Sequence, residues 1–410
     1  MLTKRPSRDW KGFGDLHPGP GSLYERIQCV LSTVNLQELE KAALLARTDQ
    51  SKTALDADLS CSIDPSLFTY GFNNVVLEIS LSDHVYWIAK IQHTVVDASE
   101  VENNVTDLLS EIATMKTVQE RTSIPVPRVY AYDISSSNKV GYPYILMEQI
   151  NGRILKGSLP LEVPHEYWPK VAGHIADVLF QLHELSFDRL GRLWRGADCD
   201  GPLEVIPLSP DNSSASSSTP LTSLEWFDMN RENVNRQALE LHPNDEQWRA
   251  ACHILETAVP RIIVEAAMHG PFPLCHVDLH SGNLLLDDDY NLRGVIDWNQ
   301  AQTVPVERLA VFPETSAFST GPDDDSRKVL GLKYHIWKHL RCLEESRSST
   351  SSPIVLSSIF GTKRIEVAQR CAQTLPHRAL WDGRLLAGLL FGPTASWQQL
   401  VHEHGETGMI

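Results

Sequence analysis

The stretch HVDLHSGNLLLDDD at residues 276–289, with GVIDW at residues 294–298, decides how the rest of the chain is read. It places Asp278 five residues before Asn283, with Asp297 a further fourteen residues on, behind an apolar run. A hydroxyl attacking a γ-phosphate needs one carboxylate to orient it and accept its proton. It also needs two oxygen-bearing side chains to hold Mg²⁺ against the phosphates. By type, order and spacing, Asp278 suits the first role, and Asn283 and Asp297 suit the second. The spacing predicts a tight loop that opens into a strand at Leu284–Leu286, a hairpin turn over Asp287-Asp288-Asp289-Tyr290-Asn291, and a returning strand from Leu292 to Ile296. The return carries Asp297 back to the strand end from which Asn283 departs. A carboxylate and an amide oxygen together suit a hard cation that keeps several waters.

At 410 residues the chain has length for two modest domains or one two-lobed domain with a real core. A net charge of −16 and the lack of any basic block argue against a nucleic-acid partner, because phosphate contacts need clustered Lys and Arg. The seven cysteines are scattered and never form a CxxC pair, which suits reduced thiols in a cytoplasmic protein rather than a disulfide framework or a zinc site. The first twenty residues lack the apolar run of a signal peptide. No apolar stretch reaches the ~18 residues of a membrane span, so no membrane partner is expected.

Along the chain, residues 1–20 read as extended, followed by a helix over 22–48 with Leu36, Leu39, Ala43 and Ala46 on one face. Strands are expected at Leu67–Gly71, Val75–Leu81 and Val85–Ile91, then a helix over 104–120, then strands at Arg128–Asp133 and Tyr142–Gln149. A strongly amphipathic helix covers 165–185. Residues 207–223 are a Ser-rich insertion, and 346–352 a second Ser-rich linker. A helix from Glu246 to Met268 should break at Pro260. Beyond the hairpin the chain reads as mostly helical, with 328–343 and 363–374 the clearest pieces.

These motifs resemble the aminoglycoside phosphotransferase-like family, small-molecule kinases that share the protein-kinase fold. HVDLHSGN and VIDW are similar to that family's HxDLxxxN loop and isoleucine–aspartate–aromatic metal segment, and the likeness spans roughly residues 65–310. The Ser-rich insertion and LSFDRLGRLW at 185–194 resemble its fungal-type branch. The resemblance implies a two-lobed α+β fold with a small antiparallel-sheet N-lobe and a larger, mainly helical C-lobe. On it, residues 1–50 are an extension with a helix, 51–150 the nucleotide-binding N-lobe, and 151–410 the C-lobe with the catalytic loop and acceptor site. It implies ATP and Mg²⁺ as cofactors and a small-molecule hydroxyl as acceptor.

The resemblance also carries roles residue by residue. Gly71 lies in a turn whose backbone amides would cover the phosphates, and Asn74 and Val76 follow it, the valine roofing the adenine. Lys90 would bridge the α- and β-phosphates, with Glu111 holding it and Glu100, Glu102 and Glu120 as competing partners. Met147 would gate the back of the pocket, with the Glu148 carbonyl and Ile150 N–H reading the adenine edge. Ile88 would form the ceiling, and Leu285 and Ile296 the floor. His276, His280 and Glu307 take supporting roles, Glu307 tying a helix to the catalytic loop. Val277 stands where protein kinases have Arg, so control by activation-loop phosphorylation is not expected, and no Ala-Pro-Glu segment follows Asp297, which disfavours protein kinase activity.

Other readings of the same residues compete. His276, Asp278 and His280 alternate as metal-hydrolase ligands do, but need a further ligand, and His253, His269 and His377 sit in no motif. Ser281 is not in a nucleophile elbow. The Asp run at 287–289 reads as a solvated hairpin tip rather than a metal cluster. A catalytically weak or inactive nucleotide-binding scaffold is the alternative function. Asp228, Glu232 and Glu314 are acceptor-site candidates from the helical lobe.

Overall fold

The computed structural model describes residues 5–50, 59–93, 98–208, 220–312, 324–346, 354–373, 375–392 and 394–405. Of the Ser-rich insertion, residues 209–219 lie outside the described ones, as do 347–352 of the second Ser-rich run. The chain forms two compact units. The first comprises Met1–Leu155, Trp194–Pro202 and Gly282–Asn299; the second comprises Lys156–Leu193, Leu203–Ser281 and Gln300–Ile410.

The first unit opens with helices α1 (Leu23–Thr33) and α2 (Leu36–Gln50), where one continuous helix was expected. The break falls at Val34, which is extended, and Asn35, whose side-chain oxygen accepts from the Glu38 amide at 3.3 Å. Capping a second helix satisfies amide groups that continuation would have satisfied internally. Strands β1 (Cys61–Ser62), β2 (Phe68–Tyr70), β3 (Asn74–Leu81) and β4 (Tyr86–Gln92) follow, then helix α3 (Ala98–Arg121) and strands β5 (Val129–Asp133) and β6 (Tyr144–Glu148). They form one sheet ordered β1-β3-β4-β6-β5, with β2 also pairing β3.

Side chains alternate across a strand, and here the alternation separates two environments. Val75, Leu77, Ile79 and Leu81 of β3, with Trp87, Ala89 and Ile91 of β4, pack on Ile27, Val30, Leu39 and Ala43 of the two leading helices. The opposite face carries Ile88, Ile145 and Met147, which pack against Leu108, Leu109 and Ile112 of α3.

The first residues are not simply extended. Pro6–Asp9 forms a 3₁₀ turn, and Phe13 packs against Tyr24 and Phe68 with ring centroids 4.4 and 4.8 Å apart. The cause is Glu78, a buried carboxylate on β3. It accepts hydrogen bonds from Arg5 Nε (2.6 Å) and the Ser7 amide (2.8 Å), partners that a buried charge requires.

The second unit is mainly helical. It begins with α4 (Leu159–Glu162) and α5 (Trp168–Glu184), then the short strands β7 (Ser186–Phe187), β8 (Arg192–Trp194) and β9 (Glu204–Ile206). Helices α6 (Ser223–Leu241) and α7 (Glu246–Ile262) come next. Helix α7 carries Pro260 within its last turn and ends two residues later, rather than breaking at the proline. Strand β10 (Phe272–Cys275) leads to the hairpin β11 (Leu284–Leu286) and β12 (Leu292–Val295), which belongs to the first unit. Back in the second unit are β13 (Gln302–Thr303), α8 (Val306–Leu309), α9 (Asp324–Ser346), α10 (Leu356–Ile359), α11 (Lys363–Gln373), α12 (Ala379–Phe391) and α13 (Trp397–Gly405). Helices α6, α12 and α13 were not individually foreseen. The α+β architecture expected from the sequence is present: one unit built on an antiparallel sheet and a second, larger unit that is mainly helical.

His183, near the end of α5, is buried among apolar residues, and its Nε2 has no hydrogen-bond partner among the described residues. Burial pulls its imidazole down to about 4. The unfolded chain, with its histidine near ~6.5, takes up the proton first, so acid favours unfolding. Stability from this group should be intact above about pH 7 and fall by roughly 3 kcal/mol as pH drops through 6.5 to 4. Urea unfolding of His183→Leu should show a flatter acid limb than the parent. An unchanged limb would exclude His183 as the source.

Candidate active site

The register of the sheet builds one side of the site. Val76 pairs with Lys90 and Lys90 with Ile145; Glu78 pairs with Ile88 and Ile88 with Met147. Directly paired residues share a face, so Val76, Ile88, Lys90 and Met147 lie together on the face that meets α3. Asn74, two residues before Val76, joins them and is buried. Lys90 Nζ donates to Glu111 Oε1 at 2.7 Å and to Asp297 Oδ1 at 2.9 Å. The side chains of Lys90 and Glu111 are 9% and 2% exposed, whereas Asp297 is 45% exposed. Burial disfavours the Lys90 ammonium, but the carboxylates of Glu111 and Asp297 outweigh it and hold the pKa above the usual lysine value. Of the competing partners, Glu120 pairs with Arg195, and the side chains of Glu100 and Glu102 lie outside the described residues.

Asp297 reaches Lys90 because of the hairpin that precedes it. Leu284 pairs with Val295, and the Ile296 amide donates to the Asn283 carbonyl at 3.0 Å, so Asn283 and Ile296 close the same end of the ladder. Asp297 then adopts φ 61°, a left-handed conformation uncommon outside glycine. Trp298 beside it is fully buried, its indole donating to the Val295 carbonyl at 2.9 Å. At the far end, Asp287 accepts from the Asn291 and Asp289 amides, so the acidic run closes a turn. The segment after β6 lies close against this hairpin. A Cβ on Gly152 would stand 2.9 Å from the Leu285 side chain, and one on Gly294 2.7 Å from Ile150. Glu148 and Ile150 are half-buried. Gly71 donates its amide to the Asn74 carbonyl at 3.0 Å, closing the turn between β2 and β3, and Phe72 at the tip is exposed.

Asp278 belongs to the second unit, whereas Asn283 and Asp297 belong to the first; the division falls between Ser281 and Gly282. The loop carrying Asp278 follows β10, which is flanked by β7 and β13. His276 is buried. Arg308 of α8 donates to the Val277 carbonyl at 2.6 Å, and Ser281 Oγ donates to the Gly157 carbonyl at 2.8 Å. His280 Nε2 stands 3.5 Å from Asp278 Oδ2. A hydrogen bond from His280, reinforced by the charges of His280, His276 and Arg308, holds the Asp278 carboxyl below the usual range. The Asp278 side chain is 63% exposed, which leaves it open to an incoming group.

Arg308, missed at the level of sequence, makes the contact expected of its neighbour Glu307. Glu307 is fully buried and accepts from the Val264 amide at 2.5 Å. The only sequence signal for Arg308 was a charged pair in an otherwise apolar segment, VPVERLA. Among the described residues no three His, Cys, Asp or Glu side chains gather as a metal-hydrolase site would need. Asp228 and Glu232 are exposed on α6, and Glu314 lies outside the described residues.

Removing Lys90 leaves two carboxylates facing one another without their cation. Lys90→Met should cost roughly 3 kcal/mol of stability in urea melts, and adding Glu111→Gln should recover part of it. No loss in the single variant would mean that the ion pair does not hold this region together.

A family model described as the phosphotransferase enzyme family matches residues 78–312. Among curated proteins, the chain is 22% identical over 352 residues to clavilactone A biosynthesis cluster protein Y of Ampulloclitocybe clavipes, covering 82% of this chain and 79% of that protein. It is 32% identical over 114 residues to the mitochondrial altered inheritance of mitochondria protein 9 of Candida albicans, which is 26% of this chain but 18% of that protein. Among solved structures, a macrolide 2′-phosphotransferase from Brachybacterium faecium aligns over 90% of this chain and 98% of its own, at 13% identity and a TM-score of 0.44. An aminoglycoside phosphotransferase in a ternary complex with ADP and hygromycin B aligns over 91% and 100%, at 14% identity and a TM-score of 0.41. With more than half of its length matched by the family model, the chain belongs to the phosphotransferase enzyme family.

Proposed function

We propose that the protein transfers the γ-phosphate of ATP, with Mg²⁺, to a hydroxyl of a small-molecule acceptor. The observation that carries this reading is the buried Lys90 cation, held between Glu111 and Asp297 from two distant parts of the chain. A lysine so placed presents a fixed positive charge on the sheet face shared with Val76, Ile88 and Met147, where a nucleotide's phosphates would meet it. Val76 and Ile88 would hold the adenine from above and Leu285 and Ile296 from below, with Met147 at the back and the Glu148–Ile150 backbone at its edge. The Gly71 amide is engaged by the Asn74 carbonyl, so other amides of that turn would cover the phosphates.

Asn283 and Asp297 fit a hard divalent ion, since an amide oxygen and a carboxylate leave room for several waters. Mg²⁺ bound there would draw charge from the phosphate oxygens. Asp278 orients the acceptor hydroxyl and takes its proton as the new oxygen–phosphorus bond forms, while the bond to the ADP oxygen breaks. His280 and Arg308 keep Asp278 ionised and its loop in place. Partial desolvation and the nearby Glu256, Glu225 and Glu232 push the Asp228 carboxyl up, an acidic neighbourhood that suits a polar or cationic acceptor. Residues 51–150 act as the nucleotide-binding N-lobe and 151–410 as the C-lobe. LSFDRLGRLW and the fungal relatives support a fungal-type branch, and the free, scattered cysteines support a cytoplasmic setting. No helix among the described residues is long and apolar enough to cross a membrane.

The sparse phosphate turn favours a second reading, a weak or inactive nucleotide-binding scaffold. Nucleotide binding and turnover separate the two. Mg-ATP should raise the thermal midpoint of the parent and leave Asp297→Ala unmoved. With a pool of small alcohols and amino alcohols, Asp278→Asn should lower kcat by about 10²–10⁴ with little change in nucleotide affinity. More than about a tenth of the activity surviving would remove Asp278 as the base. Because the Asp278 carboxyl is held low, its proton-accepting form persists on acidification. The rate should therefore stay level from neutral pH to about pH 5.

A further inference from the structure

Residues Trp194–Pro202 belong to the first unit, although the chain on both sides belongs to the second. Their contacts within the first unit fall on helix α3 and on Val129 and Tyr132 of strand β5. Trp194 and Cys199 join the cluster formed by Leu108, Leu109 and Ile112. Cys199, 1% exposed and at φ 52°, directs its Sγ to the Leu109 carbonyl at 3.6 Å. Lys116 Nζ donates to the Cys199 carbonyl at 3.0 Å and to Asp200 Oδ1 at 2.8 Å. Arg195 donates to Thr117 Oγ1 at 3.4 Å and pairs with Glu120.

Helix geometry gives this arrangement its consequence. Successive residues turn by ~100°, so Lys116 and Glu120 come within ~20° of Leu109 around the axis, whereas Glu111 lies ~200° away. The segment therefore holds α3 along the line of Leu109, Lys116 and Glu120, while Glu111 projects from another side of the helix toward Lys90. It touches the helix at points, since a cavity of about 430 Å³ lined by Lys116, Gln119, Glu120, Arg195, Cys199 and Asp200 lies along it.

We propose that residues 194–202 are a strap that sets the position of α3 and thereby of the Glu111–Lys90 ion pair, with Lys116, Arg195 and Cys199 as positioning residues. Its importance for turnover rests on the phosphotransferase reading above; its grip on the ion pair does not. The paired charges at Asp200 and Glu120 are largely exposed and contribute little alone. The buried Cys199 and the Lys116 bond to its carbonyl hold the strap.

The ion pair is read without nucleotide by the rate at which an N-hydroxysuccinimide ester acetylates Lys90, followed by mass spectrometry of the full chain. Lys116→Met should raise that rate about tenfold, Lys116→Arg should restore it, and amide exchange in β3 and β4 should stay as in the parent. Gly201→Ala provides a second route, because its Cβ would meet the strap's own Arg195 carbonyl at 2.8 Å. It should raise the rate likewise, and it carries the test if Lys116→Met does not fold. In a Glu111→Gln background, already fast, the strap variants should add nothing, because they act through the same pair. Rates within about twofold of the parent, or an undiminished increase without Glu111, would overturn the proposal. Mg-ATP binding by the parent, measured alongside, tests the functional reading separately.

Discussion

A lysine ammonium sealed at the inner face of a sheet is tolerable only if carboxylates meet it there, and much of the first unit is arranged to supply them. Lys90 reaches Glu111 on α3 and Asp297 beyond the hairpin. Removing one partner from such a group costs several kcal/mol, because the remaining charge stays buried. The constraint reaches outward. It ties α3 and the segment beyond the β11–β12 hairpin to one strand of the sheet.

The same logic governs other charges in the molecule. Glu78, on the same sheet face as Lys90, is neutralised by Arg5 and the Ser7 amide, so an N-terminal segment of unremarkable composition becomes ordered. In the second unit, Arg370 and Asp382 pair at 2.8 Å within the helical core. Arg308 instead spends a buried guanidinium on a backbone carbonyl next to Asp278. That contact places a cation beside the loop that carries Asp278, although the residue preceding Asp278 is a valine.

Local sequence order made much of this legible. The period-2 runs of β3 and β4, the helical stripe of α5 and the hairpin around Asp287 follow from residue-by-residue patterns that need no distant partner. The pairing of Lys90 with Glu111 was expected from the family resemblance, with Glu100, Glu102 and Glu120 as competing partners. The split between α1 and α2 was not, because both halves carry the same apolar spacing and only Asn35 marks the boundary. Nor was the role of Arg308, since VPVERLA offers two charges and no local reason to choose between them.

By itself, then, the order of residues determined which side chains carry charge, which strands alternate, and that Asp278, Asn283 and Asp297 share a short compass of chain. It could do so because strand and helix periodicity and turn chemistry act over a few residues. Tertiary structure alone decided which charges meet: Lys90 with Asp297, Arg5 with Glu78, and Lys116 of α3 with Asp200. Those choices depend on burial, which is a property of the assembled core rather than of any segment, and burial makes an unmatched charge intolerable.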